Sequence, residues 1–269
     1  MRIFRYWVSE ERRESRDGGA VAGRVFGGSN VSVAQAREDL EVRWQGVCER
    51  VFLGRRREAG SYEADIREEI VELASEDAVV TRNRYGAEIL NCTSPVIVDV
   101  DHASPSLWQR WFGGRDDDEA RVARVVANVT KLVERGKCGI QGARVYRTPA
   151  GVRMILATND IAPRSAEVER MMRALNADRL YAALCRRQNC YRARLTPKPH
   201  RIGVRSLRQG WPVDGADHEA RSAWVHEYRT AAEPYAACAF LTTIGIAPHA
   251  EAVDLHDRWS GALSGKGLA

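Results

Sequence analysis

Pro95-Val-Ile-Val-Asp99-Val-Asp101-His102 is an unbroken apolar run that ends in two aspartates one residue apart. A short run of this kind reads as a buried strand. Side chains alternate along a strand, so Asp99 and Asp101 point to the same face. Two carboxylates so placed repel each other. A hard, oxygen-seeking cation such as Mg²⁺ or Mn²⁺ relieves that repulsion, which makes Asp99 and Asp101 candidate metal ligands. The competing reading is a strand end whose acids meet solvent or a nearby arginine.

Downstream, a loop with Trp108, Trp111 and Gly113-Gly114 leads to Asp116-Asp-Asp-Glu119, an acidic run that suits the positive end of a helix. Val122, Val125, Val126, Val129, Leu132 and Val133 then line one helical face. Ala143-Arg-Val-Tyr-Arg147 and Val152-Arg-Met-Ile-Leu156 read as strands separated by Thr148-Pro-Ala-Gly151. A second helical region carries Val168, Met171, Met172 and Leu175 and continues through Leu180, Tyr181 and Leu184. Tyr191-Arg-Ala-Arg-Leu-Thr196 closes the series as a strand whose arginines share one face. Residues 95–197 therefore run strand, helix, strand, strand, helix, strand. This βαββαβ order predicts an α+β fold with a ferredoxin-like or RNA-recognition-motif-like core, one sheet with the helices on a single face.

Upstream, Val33, Ala36, Leu40, Trp44 and Val47 recur at helical spacing and predict a helix over 31–50, capped by Asn30 or Ser32. Tyr62, Ile66, Ile70 and Leu73 predict another. Ala78-Val-Val-Thr81 and Ala87-Glu-Ile-Leu90 read as strands joined by the turn-rich Arg82-Asn-Arg-Tyr-Gly86. The Gly-rich stretch Ser15 to Asn30 reads as a loop and Ser260 to Ala269 as a frayed tail. The expected organisation is an N-terminal helical extension over 1–77, a core over 78–210 and a C-terminal α/β extension over 211–269.

The 269 residues suit one large domain, with a net charge of +5. From Arg179 to Val213 there is no Asp or Glu, whereas Arg179, Arg186, Arg187, Arg192, Arg194, Lys198, Arg201, Arg205 and Arg208 are all basic, a block that reads as a surface for phosphates. Six scattered cysteines suit reduced thiols, and Cys185 with Cys190 lacks the second pair of a zinc site. No stretch reaches the roughly 18 apolar residues of a membrane span, and the start lacks a signal peptide's apolar run. A cytoplasmic protein with no membrane partner is expected.

With Asp-x-Asp on its first strand, the βαββαβ unit resembles the catalytic palm of the archaeo-eukaryotic primase, or primase-polymerase, superfamily. The resemblance covers about residues 78–205. It implies that Asp99 and Asp101 bind Mg²⁺ or Mn²⁺ and that the hairpin Tyr146-Arg-Thr148-Pro-Ala-Gly151-Val-Arg153 contacts nucleotide phosphate. Arg153 stands where the family has His, which keeps a phosphate-gripping cation but removes a group that titrates near neutrality. The family's third acid is matched to Asp160, with Asp178 and Asp214 behind it. Arg192-Ala-Arg194-Leu-Thr-Pro197-Lys198 resembles an Arg-Leu-Pro segment of such palms. The whole ensemble also resembles an uncharacterised bacterial protein group, which adds no function.

The implied activity is metal-dependent nucleotidyl or phosphoryl transfer on a nucleoside triphosphate or nucleic acid. Arg147, Thr148, Arg153, Arg192, Arg194, Lys198 and His200 would contact phosphate or nucleic acid. The alternative is a catalytically inactive, palm-derived protein that binds a nucleotide or nucleic acid through the basic block. A haloacid-dehalogenase-type phosphatase also starts from Asp-x-Asp, but it needs Thr or Val where Ala103 stands and a parallel sheet in place of hairpins.

Overall fold

The computed structural model of the chain describes residues 1–16, 19–54, 63–101, 118–213, 215–248 and 251–269. Within them the protein is α+β, with six α-helices and twelve strands whose sheets are antiparallel apart from one two-residue pair. None of these helices is long and apolar enough to cross a membrane.

Strand β1 (Tyr6–Arg16) pairs along its whole length with β2 (Gly19–Ser29). The ribbon packs on α1 (Val33–Phe52), which the Ser32 side chain caps by accepting from the Gln35 amide. Val25, Leu40, Trp44 and Cys48 make a small core of their own. A Cβ on Gly27 would stand 1.9 Å from the Ala36 carbonyl oxygen, so glycine is what lets β2 lie against α1. The predicted Gly-rich loop is thus mostly strand, its glycine used for close approach.

The helix predicted from Tyr62 to Leu73 is absent from the described part of that segment. Ile66 bridges to Ile3, and Glu69–Leu73 is strand β3, paired through a bulge with β4 (Ala78–Arg82). Pairing overrides the helical spacing here, as it does for short β-branched runs. Residues 1–77 are therefore mixed in structure, where a helical extension was predicted. The fully buried β5 (Glu88–Cys92) continues the sheet.

Next come β6 (Val96–Asp101), α2 (Asp118–Glu134), β7 (Gly142–Thr148), β8 (Gly151–Ala157), α3 (Ala166–Ala174), α4 (Arg179–Gln188) and β9 (Tyr191–Arg194). Trp108, Trp111, Gly113, Gly114 and Asp116 lie outside the described residues. Strand β6 is antiparallel to β8, which removes the phosphatase alternative with its parallel sheet. The predicted single sheet over 95–197 is not what forms, because β9 hydrogen-bonds to β5 instead of β6. The free edge of β6 is already taken. The Asp178 amide donates to the Asp99 carbonyl at 2.9 Å, and the Tyr181 hydroxyl donates to the Ile97 carbonyl at 2.8 Å. The start of α4 thereby covers the edge.

After α5 (Asp217–Ala232) and β10 (Tyr235–Ala236), β11 (Ala239–Gly245) adds to β7 and completes the sheet β11-β7-β8-β6. Helix α6 (Glu251–Ser260) and β12 (Gly267–Leu268) end the chain. The tail is tied down, since β12 pairs with β10 and the Ala269 amide donates to the Ala236 carbonyl.

Candidate functional site

Pairing of β6 with β8 sets Asp99 opposite Arg153 and Asp101 opposite Gly151. A Cβ on Gly151 would stand 2.0 Å from the Val100 carbonyl oxygen, so this position needs glycine for the two strands to approach. Arg153 grips Asp99 with two bonds, Nε to Oδ1 at 2.7 Å and Nη2 to Oδ2 at 3.0 Å. Its Nη1 donates to the Arg194 carbonyl at 2.8 Å and lies 3.3 Å from His256 Nε2. The side chain is 2% exposed. Burial works against its charge, but the Asp99 carboxylate outweighs that and raises the guanidinium pKa. Predicted as a phosphate ligand, Arg153 has all three nitrogens engaged inside the protein.

His256, on α6, is fully buried, and its Nδ1 lies 2.9 Å from Asp257 Oδ1. Arginine only donates and a carboxylate only accepts, so Nε2 takes the Arg153 proton and Nδ1 carries the hydrogen. Burial lowers the histidine pKa and favours this neutral form. Asp257 also accepts from the Tyr146 hydroxyl and from Arg144, each at 2.6 Å. The C-terminal extension thus holds Arg153 from behind.

A second group of charges has no such closure. The segment after β9 is pinned where the Leu195 amide donates to the Glu88 carbonyl at 2.8 Å and Tyr228 donates to the Pro197 carbonyl at 2.7 Å. It presents Lys198 and, from the turn Pro199–Arg201, Arg201. Burial, then Asp99 and Asp178, push the Asp101 carboxyl up, while Lys198 and Arg194 pull it down. Burial and Arg153 push the Arg194 guanidinium down to about 10, and Arg201 adds to this. Lys198 is lowered by burial and by Arg194 and Arg201. Among the described residues none of these three cations makes an ion pair, and Arg201 Nη1 is buried without a hydrogen-bond partner. Arg194, Lys198 and Arg201 thus repel one another near one acid, a charge imbalance that an anion would offset.

The other predicted residues are placed as follows. Arg192 turns away to Glu68, at 2.6 and 2.8 Å. Arg147 pairs with Glu119 and, at 3.6 Å, with Asp118. Thr148 sits half-buried at the hairpin turn on the Asp101 side, and His200 is exposed. Asp160 is not with the acids. Register puts Asp101 opposite Gly151 and Val96 opposite Leu156, so Asp160 lies beyond the far end of β6, five residues or roughly 17 Å away. There it accepts from Ser94 at 3.3 Å. Asp178 is the third acid near the pair, but its Oδ1 caps α4 at the Tyr181 amide, 2.7 Å away. Asp214 and His102 lie outside the described residues.

The resemblance implies a Mg²⁺ or Mn²⁺ held by Asp99 and Asp101. Both oxygens of Asp99 are bonded to Arg153, and no group of three His, Cys, Asp or Glu among the described residues is arranged to hold a metal. The described side chains do not fit a preformed two-acid centre. Sequence reading missed Arg201 and His256 as site residues. The acid-free block pointed toward the first; nothing local marks the second.

Comparison of the chain with protein-family models, with curated proteins and with solved structures gives no match.

Proposed function

We propose that the protein binds the phosphate groups of a nucleotide or nucleic acid at the cluster of Arg194, Lys198, Arg201 and Asp101, on a palm-like scaffold whose first acid is neutralised by Arg153. The observation that carries this reading is the set of three cations without an ion pair, one with a buried, unpartnered nitrogen. An anion would pair with all three and remove their mutual repulsion. The palm-like scaffold is supported by the order β6-α2-β7-β8-α3-α4-β9 and by the central pairing of β6 with β8. Departure of β9 to the other sheet is the feature that the primase-polymerase likeness does not account for.

A second reading, metal-dependent nucleotidyl transfer, is favoured by one observation. Burial, then Asp99 and Asp178, push the Asp101 carboxyl up, so negative charge gathers near it, and Mg²⁺ or Mn²⁺ carried in by a triphosphate would offset that charge.

Calorimetric titration with ATP, with and without Mn²⁺, separates the two. Binding that persists in EDTA and weakens about tenfold in Lys198→Gln supports the binding protein, since one charged hydrogen bond to phosphate is worth about 1.4 kcal/mol. Binding that requires Mn²⁺ and disappears in Asp101→Asn, together with Mn²⁺-dependent extension of a labelled primer, would establish transfer. No binding of ATP or of a labelled single-stranded oligonucleotide under either condition would remove both readings.

A further inference from the structure

Strand β11 (Ala239–Gly245) is the outer strand of the sheet β11-β7-β8-β6, and among the described residues no strand pairs with its far side. Two contacts with β7 fix which way its backbone groups point. The Ile246 amide donates to the Gln141 carbonyl at 3.1 Å, and the Ile244 carbonyl oxygen lies 2.7 Å from where a Cβ on Gly142 would stand. Bonding alternates along an antiparallel pair, so Thr242 and Ile244 bond toward β7 while the N–H and C=O of Thr243 turn outward. Among the described residues the Thr243 carbonyl meets the Thr242 hydroxyl at 3.4 Å, and no backbone bond reaches the outer side between Leu241 and Gly245. Toward its start the edge is closed. A bulge between Phe240 and Thr242 shifts the register, and the Phe240 amide donates to the Ala262 carbonyl at 2.9 Å.

This edge differs from the others in carrying no charge. Strands β1 and β2 both contain arginine, β3 has Glu69 and Glu72, and β9 has Arg192 and Arg194. Strand β6 ends in two aspartates and is covered by the start of α4. Charged side chains and covering elements are the usual guards of a sheet edge against a further strand. Ala239-Phe-Leu-Thr-Thr-Ile-Gly-Ile246 has no charged residue at all. Its outer residues are also apolar or small, with Leu241 38% and Ile246 60% exposed, and Thr243 and Gly245 exposed beside them.

We propose that β11 pairs antiparallel with β11 of a second copy of this chain, about a two-fold axis at Thr243, so that two four-stranded sheets join into one. In such a pair every residue meets a residue of its own strand, and an edge with a charge near the axis would set like charges together. An uncharged strand has no such conflict. The two Thr243 residues exchange their outward N–H and C=O bonds, and Leu241 of each copy comes opposite Gly245 of the other, where no side chain stands in its way. Thr242 and Ile244 oppose each other in the same register, a pairing of β-branched side chains that suits a sheet. The bulge and the Ala262 bond stop the pairing at Phe240, which holds it to one register. Because the opposite edge of the sheet, β6, is already covered, assembly ends at two copies. Phosphate binding at Arg194, Lys198 and Arg201 is independent of this contact.

The test is sedimentation velocity of the full chain over about 1 to 100 µM. A species of twice the 30.1 kDa chain mass is expected to build up with concentration. Thr243→Lys sets two like charges against each other at the axis and should dimerise at least about tenfold more weakly, as should Thr243→Glu. An equimolar mixture of the two variants should form the dimer again, and added NaCl should weaken that mixed dimer. A variant that had merely lost its fold would not re-associate, so the mixture guards against a folding defect. Thr243→Ser should dimerise as the parent does. The proposal is overturned by a parent that stays at 30.1 kDa up to about 100 µM, by a dimer that both charged variants leave intact, by a mixture that stays monomeric, or by assembly that continues past two copies.

Discussion

Asp99 and Arg153 face each other across the pairing of β6 with β8 and share two hydrogen bonds, 2.7 and 3.0 Å long. Arg153 is therefore a counter-ion, and its charge neutralises the Asp99 carboxylate. His256 and the Arg194 carbonyl complete its partners, so the pair ties both sheets and the C-terminal helix to one point. Asp101 lies at the exposed end of the same strand face, outside this pair.

Replacing Asp99 by Asn leaves a buried guanidinium without its carboxylate. Breaking one half of a buried pair costs about 3 kcal/mol or more, reduced here because a quarter of the Asp99 side chain reaches solvent. A chemical denaturation midpoint clearly below that of the parent is expected. An unchanged midpoint would show that the pair contributes nothing to stability and would restore Asp99 as a free ligand.

Asp101→Asn should behave in the opposite way. The folded-state pKa of Asp101 is raised above its ordinary 3.8. Its contribution to stability is therefore present below about pH 3.8 and lost as pH rises through the higher folded value. Thermal midpoints of the variant and the parent should coincide in acid and diverge in favour of the variant toward neutrality. A variant less stable at pH 7 than at pH 4, relative to the parent, contradicts the direction of the shift.

How much of this was legible beforehand differs by element. Strand β6 could be read because an apolar run with alternating acids has few other solutions, and β7 with β8 because Thr148-Pro-Ala-Gly151 is turn chemistry between two such runs. Convergence of Arg153 and Arg194 near the acids followed from the same order. What failed was partner choice. Nothing in Tyr191–Arg194 says that β9 will pair with β5, because the competition is decided by the Asp178 amide and the Tyr181 hydroxyl on the edge of β6. Glycine misled in Gly19–Ser29, where it serves close packing instead of a loop. His256 lies 103 positions after Arg153, and an approach between residues that far apart in the chain leaves no local trace.

The buried His256 gives a distinct acid sensitivity. It is faced by Arg153, Asp257, Cys238 and the Tyr146 ring. Its folded pKa is lowered from 6.5, mainly by burial. The stability held by the neutral ring is full above about pH 6.5 and is lost as pH falls through the lower folded value. His256→Asn should be less stable than the parent at pH 7.5 by about 1 to 3 kcal/mol, because the shorter side chain cannot reach Asp257 and Arg153 at once as the two ring nitrogens do. The gap should narrow on acidification, before Asp257, itself held low despite burial by the hydrogen bonds of His256 and Tyr146, begins to take up protons. A gap independent of pH would mean that the ring does not titrate in this way.

Arg201→Gln separates stability from ligand binding most sharply. In the free protein Arg201 presses on Arg194 and Lys198, whose pKa values it helps to lower, and its own Nη1 is buried without a partner. Removing that charge should leave the thermal midpoint of the free protein unchanged or higher. A ligand that binds only the folded state adds about 2.7 kcal/mol at a hundredfold excess over its Kd, which for a chain of this size corresponds to a rise of about 5 °C or more. The parent should show such a rise with ATP, and Arg201→Gln should lose half of it or more at the same ATP concentration, because a tenfold weaker Kd removes about 1.4 kcal/mol. The two readouts move in opposite directions only if the cation is held in place for an anion. A variant that is destabilised when free and yet keeps the full ATP increment would instead make Arg201 a structural residue, and the proposed phosphate site would lose its third cation.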